Sequence, residues 1–229
     1  MNIYIGYDAR EATAYHVCVN SIIRHSTAPV RINPLALNNM DFYLESKERQ
    51  TMDGYKPTND FIFSRFLVPY LQAYEGWALF MDGDMILLDD ISKLFGLKDD
   101  SKAVMVVKHD YKTKFPVKYL GQPNLDYERK NWSSVMLINC GHEANRTLTP
   151  DYVQNATGKM LHRFEWLSDD QIGDLPIEWN WLPDEFGVNE EAKLLHFTAG
   201  TPCFFDFATS PMASLWHKER MLMDYSAQV

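Results

Sequence analysis

Asp82 and Asp84, two carboxylates with only Gly83 between them, are the residues of this sequence best suited to do chemistry. They follow the apolar run 77–81 and precede the apolar run 85–88, so they leave a buried strand through a short acidic turn. Carboxylates at i and i+2 of an extended chain point to one side, and a glycine between them allows close backbone approach. That pair suits a hard divalent cation, which takes oxygen ligands and keeps positions open for substrate phosphates. A surface β-turn rich in Asp and Gly is the plainer reading of an isolated D-x-D. Here the turn ends a core strand, where open α/β sheets place their ligands. His196 closes a second apolar run, Leu194 and Leu195, and runs into a loop with Gly200. It reads either as a third metal ligand or as a hydrogen-bonded structural histidine, and the pairing with the acidic turn favours the ligand.

Other side chains carry weaker signals. Arg65 offers a planar, permanently charged donor set for phosphate or ribose oxygens, or a surface salt bridge. Asp169 and Asp170 are adjacent, and successive side chains of an extended segment diverge, so one of the two faces a given site. Trp132, Trp166, Trp179 and Trp181 can stack on sugar faces or pack the core. Cys18, Cys140 and Cys203 form neither a C-x-x-C pair nor a zinc pattern and read as buried free thiols.

The elements that must position these residues alternate between strand and helix. Residues 2–7 read as a strand stopping at Asp8, 13–25 as a helix through Tyr15, Val19, Ile22 and Ile23, and 31–37 as a second strand. The polar stretch 38–59 reads as a long loop, and loops of that length are often functional. Phe63, Phe66, Leu67, Tyr70 and Leu71 recur at helical spacing, with Pro69 kinking or ending the helix. Further strands are expected at 103–107, 135–139 and 193–198. Thr149 before Pro150 and Ser210 before Pro211 are expected to cap helices. This alternation argues for an α/β layered fold. No linker or repeat divides the 229 residues, so one domain over 1–229 is expected.

A net charge of −9 disfavours a nucleic-acid or anionic-membrane footprint and means that an anionic ligand needs a local cation, for which a metal is the natural source. No run reaches the roughly 18 apolar residues of a membrane span, and Met1 leads straight into the first strand without a basic leader. The expectation from these features is a cytoplasmic protein.

The segment 64–95, with Arg65, Pro69, Asp82, Gly83, Asp84, Asp90, Ile91, Leu94 and Phe95, resembles the core of glycosyltransferase family 8. So does 131–139, with Ser133 and Ser134 in small-residue positions. Asp170, Gln171, Leu175, Pro176, Trp179 and Asn180 resemble the family's D-Q and L-P-x-x-W-N segments, and 196–202 its H-x-x-G-x-x-P loop. The resemblance spans about residues 2–207. It implies a GT-A fold: one Rossmann-like α/β domain with a mixed, mostly parallel sheet flanked by helices. It also implies Mn²⁺ (or Mg²⁺) held by Asp82, Asp84 and His196, a UDP-sugar donor, a hydroxyl acceptor, and hexose transfer with retention. Tyr7 and Asp8 match the uridine region, Arg65 a donor-contacting arginine, Gly83 the metal turn and Gly200 the pyrophosphate loop. Asp170 and Gln171 match residues beside the transferred sugar. The sequence departs from the pattern at Thr201, where members often carry a lysine that meets the donor phosphates, and at Ile172, which stands where an aspartate is frequent. A sugar nucleotidyltransferase is disfavoured because no glycine-rich phosphate loop opens the sequence. A non-catalytic sugar-binding module on the same scaffold is disfavoured because the acidic turn, histidine and D-Q pair are intact.

Overall fold

The computed structural model describes residues 1–43, 59–121 and 123–225. Most of the polar loop expected at 38–59, namely 44–58, lies outside the described residues. The strands are β1 (Asn2–Gly6), β2 (Arg31–Leu35), β3 (Trp77–Met81), β4 (Met85–Leu87), β5 (Val104–Val106), β6 (Val135–Asn139), β7 (Ile172–Asp174) and β8 (Leu194–His196). The α-helices are α1 (Ala12–His25), α2 (Val68–Leu71), α3 (Ile91–Phe95), α4 (Pro150–Asn155), α5 (Gly158–His162), α6 (Pro183–Phe186) and α7 (Ala213–Asp224).

Six strands form a mixed sheet in the order β2-β1-β3-β6-β5-β7, in which β6 runs against its neighbours β3 and β5 and the other pairings are parallel. The strands are apolar on both faces because helices cover both. Ile3, Ile5, Leu79, Met81 and Leu137 pack with Tyr15, Cys18 and Ile22 of α1 and Leu94 of α3. Tyr4, Phe80, Val106 and Met136, one residue out of phase, pack with Phe66, Leu67, Val153 and Leu161 on the opposite side. A second, two-stranded sheet joins β4 to β8 in antiparallel register, with Met85 opposite His196.

The register fixes which residues share an end of the main sheet. Met81 pairs with Val135 and Ile5, so the acidic turn after β3, the exit of β1 and the entry of β6 lie together. Val104 pairs with Ile138 and Ile172, so β7 starts at the opposite end. Thr149 caps α4 by accepting the Tyr152 amide, as its sequence predicts. The helix expected from Phe63 to Leu71 is instead a 3-10 turn, Ser64–Leu67, followed by α2, with Pro69 in the first turn of α2, where its missing N–H costs nothing. The cap expected at Ser210 also shifts. Ala213 donates to Ser210 O within a turn, Met212 takes φ 62°, and α7 begins only after it. Cys18 and Cys140 are buried free thiols, and Cys203 is a half-buried one.

Candidate metal centre

Asp82 leaves the last residue of β3, and Asp84 immediately precedes β4. Gly83 is required between them: a Cβ there would sit 2.7 Å from Gly6 O, so the turn presses its backbone onto the exit of β1. His196 arrives through the small sheet. Its neighbour across the ladder is Met85, and the Phe197 amide donates to Asp84 O at 3.1 Å. Two short strands thus bring together side chains that are over a hundred residues apart. His196 Nε2 lies 3.3 Å from Asp84 Oδ1 and 3.9 Å from Asp82 Oδ2, and the ligand atoms of the three residues all fall within 4.8 Å of one another.

The histidine's orientation is set from behind. Asn180 Oδ1 can only accept, so its 2.9 Å contact with His196 Nδ1 places the proton on Nδ1 and turns Nε2 toward the aspartates. Asn180 Nδ2 in turn donates to Ser134 Oγ at 2.9 Å, and Ser134 Oγ donates to Asn131 O at 2.7 Å. Nε2 so placed meets the two carboxylates in one of two ways, as an imidazolium paired with them or as a lone pair sharing a bound cation with them. Asp84 Oδ1 is, moreover, buried without a hydrogen bond among the described residues. Ligands on one ion with bonds of about 2.1 Å are about 3.0 Å apart at right angles and about 3.4 Å apart at the tetrahedral angle. The donor set and its spacing therefore fit a divalent ion.

Burial pushes the Asp82 carboxyl up to about 6, with Arg65 opposing and Asp84 adding to the shift. Burial pushes Asp84 the same way, but the charge and contact of His196 outweigh it and hold Asp84 below the usual range. Arg65 is 4% exposed and lies between the rings of Phe61 and Phe80, 5.3 and 4.9 Å from their centroids. Its Nη1 donates to Ser133 O at 3.0 Å and stands 2.9 Å from Asp82 Oδ1, an ion pair without hydrogen-bond alignment. Arg65 therefore holds Asp82 in place.

Glu11, Lys118, Tyr119, Asn131 and Thr198 are among the residues that wall a cavity of about 50 Å³ around the three ligands. That is room for an ion and a water, whose share of liquid volume is about 30 Å³. Glu11 accepts the Tyr119 hydroxyl, and burial, reinforced by Asp84, pushes its carboxyl up to about 8.

Other expected site residues lie elsewhere. Asp170 and Gln171 sit in a 3-10 turn just before β7, at the far end of the sheet. They are three strands away from β3 and about 10 Å or more below the acidic turn, given about 3.3 Å per residue. Asp170 is exposed and its carbonyl accepts Lys102 Nζ, while Gln171 closes a capping box with Ser168. Neither lines the cavity around Asp82, Asp84 and His196. Gly200 is buried, and a Cβ on it would lie 2.4 Å from Phe207 Cδ2, so packing accounts for the glycine. Asp8, 2% exposed, has its oxygens engaged by Arg10 and by the Asp60 amide, and Tyr7 packs edge-on against Tyr15. The four tryptophans are committed to packing or to hydrogen bonds: Trp179 is buried, and Trp132, Trp166 and Trp181 donate to His109 O, Asn145 Oδ1 and Gly187 O. Sequence reasoning missed Glu11 and Lys118, which belong to no motif. It noticed Asn180 as part of a matched segment without seeing that it orients the histidine.

No family model matches the chain. The solved structure of the galactosyltransferase LgtC, in complex with donor and acceptor sugar analogues, is 14% identical, with 96% of this chain and 95% of that one covered and a TM-score of 0.61. The glycosyltransferase GlyE of Streptococcus pneumoniae TIGR4 is 17% identical with a TM-score of 0.62, covering 99% of this chain and 61% of that one. WbbM, a bifunctional glycosyltransferase, is 14% identical with a TM-score of 0.61, and this chain spans 52% of its length. The fold is thus the GT-A fold of these glycosyltransferases, as the resemblance implied. Over 223 residues, 95% of this chain and 85% of the relative, the sequence is 43% identical to Protein CDI of Arabidopsis thaliana, and it belongs to that protein's family. No helix among the described residues is long and apolar enough to cross a membrane.

Proposed function

We propose that this chain is a metal-dependent glycosyltransferase that moves a hexose from a nucleotide sugar, a UDP-sugar in the first instance, to a hydroxyl acceptor with retention of configuration. The observation that carries this reading is the convergence of Asp82, Asp84 and His196 at the strand ends of a GT-A sheet, where Asp84 Oδ1 is buried without a hydrogen bond among the described residues. These three residues would hold Mn²⁺ or Mg²⁺, which when bound supplies Lewis-acid stabilisation of the charge growing on the leaving diphosphate. Arg65 holds Asp82, and Asn180, by accepting from Nδ1 of His196, keeps Nε2 facing the cleft. The nucleoside is assigned to the edge where Tyr7 and Asp8 leave β1 beside Gly83, since the cavity itself is too small for it.

In the reaction, the bond from the anomeric carbon to the diphosphate oxygen breaks and its electron pair goes to the phosphate. The acceptor oxygen bonds to the same face of that carbon, and its proton passes to the leaving phosphate oxygen. This route asks for no carboxylate base. The test is incubation with Mn²⁺ and a panel of nucleotide sugars, with proton NMR of any product. Release of a nucleoside diphosphate and an α-linked product from an α-linked donor are expected. In a parallel incubation, release of pyrophosphate from a nucleoside triphosphate and a sugar 1-phosphate would identify a nucleotidyltransferase instead, and binding without turnover in either a sugar-binding module.

A further inference from the structure

Lys118 puts an ammonium group into the cavity wall beside Asp82, Asp84 and His196. It has no ion pair or hydrogen bond to any described residue, although its surroundings are acidic. The other deep cation near these ligands, Arg65, is already taken by Asp82 and Ser133 O. A half-buried cation among carboxylates that makes no close pair is costly to desolvate, and an anionic ligand bound there would repay that cost.

The residues around Lys118 hold it in place. Val117 bridges to Pro123 across a turn in which Leu120 and Gly121 take φ values of 55° and 69°. The Tyr119 amide donates to Ala199 O at 2.8 Å, its ring stacks on Phe204 at 5.0 Å, and its hydroxyl donates to Glu11. This turn is therefore tied both to the loop after His196 and to the segment after β1. Thr201, on that loop, is fully buried and neutral, so it brings no charge to the cleft.

We propose that Lys118 is a phosphate-binding residue, contacting the diphosphate of the donor, so that the cation for the phosphates comes from the segment carrying Lys118 and Tyr119 and not from the loop after His196. The assignment rests on the glycosyltransferase reading only for the nucleoside and sugar. The ligand chemistry it requires is a diphosphate beside a divalent ion.

Titration calorimetry of UDP and of inorganic pyrophosphate, each with Mg²⁺, tests it. Lys118→Gln keeps most of the aliphatic stem, and it should weaken both ligands about 10- to 100-fold, the range for losing a hydrogen bond to a charged group. Lys118→Arg should restore most of that loss. Metal affinity without nucleotide should hold or rise in Lys118→Gln, because a nearby positive charge is removed. A collapsed turn would instead weaken metal and diphosphate together, and that result overturns the proposal, as does unchanged affinity for UDP and pyrophosphate. Wild-type binding of both diphosphates without sugar transfer would overturn the proposed function and leave Lys118 standing. Wild-type protein that binds neither overturns both.

Discussion

Asn180 touches no substrate in this arrangement, yet it decides which nitrogen of His196 faces the aspartates. Partners of that kind behind a metal ligand typically control affinity by about 10- to 100-fold. Asn180→Ala is therefore expected to lower Mn²⁺ affinity by that factor, as read by electron paramagnetic resonance of the free ion; undiminished affinity would show that the histidine is oriented otherwise. Glu11 gives a second, pH-dependent signature. Burial first, then the neighbouring Asp84, Asp8 and Asp82, raise its carboxyl from 4.5 to about 8, against the hydrogen bond from Tyr119; Lys118 is the cation lining the same cavity. Between those values the folded chain holds a proton that the unfolded chain has released, so this contribution to stability is present below pH 4.5 and is lost as pH rises through 8. The slope from this one group is at most about 1.4 kcal/mol per pH unit. Urea denaturation from pH 5 to 8 in the presence of a chelator should show a steeper decline for the wild type than for Glu11→Gln. Parallel curves would mean that Glu11 is ionised throughout.

At the scale of elements, the site depends on two backbone joints: the turn pressed onto the exit of β1, and the short ladder that sets Met85 opposite His196. Gly83→Ala forces a Cβ to within 2.7 Å of a backbone oxygen, which the chain relieves only by moving the turn. The expected result is a loss of about 1–3 kcal/mol of stability together with weaker divalent-ion binding, measured by denaturation and by metal titration on the same preparation. A variant with native metal affinity would show that the turn need not press so closely. These joints also explain what was legible in the sequence. The acidic turn could be read because apolar runs on both sides announce a buried strand end. His196 could be read because another apolar run, Leu194 and Leu195, ends on it. Asp170 and Gln171 could not be placed, because β7 is three residues long and its position depends on the reversed strand β6, which no local pattern encodes. Lys118 was hidden for a related reason: its role comes from tertiary contacts of Tyr119 with Ala199, Phe204 and Glu11. The caps divide the same way, with Thr149 acting locally as a cap while Ser210 is overruled by the turn at Met212.

For the molecule as a whole, the candidate metal centre joins the ends of two sheets that share one hydrophobic core. Asp82 belongs to the end of the six-stranded sheet, whereas Asp84 and His196 belong to the two-stranded sheet, which α1 braces through the Ser21 hydroxyl that accepts the Leu87 amide. α1 is held in turn to α7 by Arg24 and His25 on the buried Glu219. Unfolding either sheet would break the donor set, so an ion bound to all three residues stabilises only the folded chain. A ligand at a hundred times its dissociation constant stabilises by about 2.7 kcal/mol. For a chain of this size each kcal/mol raises Tm by about 2–4 °C, so saturating Mn²⁺ with UDP should raise Tm by about 5–10 °C in a thermal scan. Asp84→Asn and His196→Ala should each abolish most of the rise, measured against the same variant's melting temperature without metal, because each removes a ligand. If both variants kept the full shift, the ion would bind somewhere other than at the joint between the two sheets.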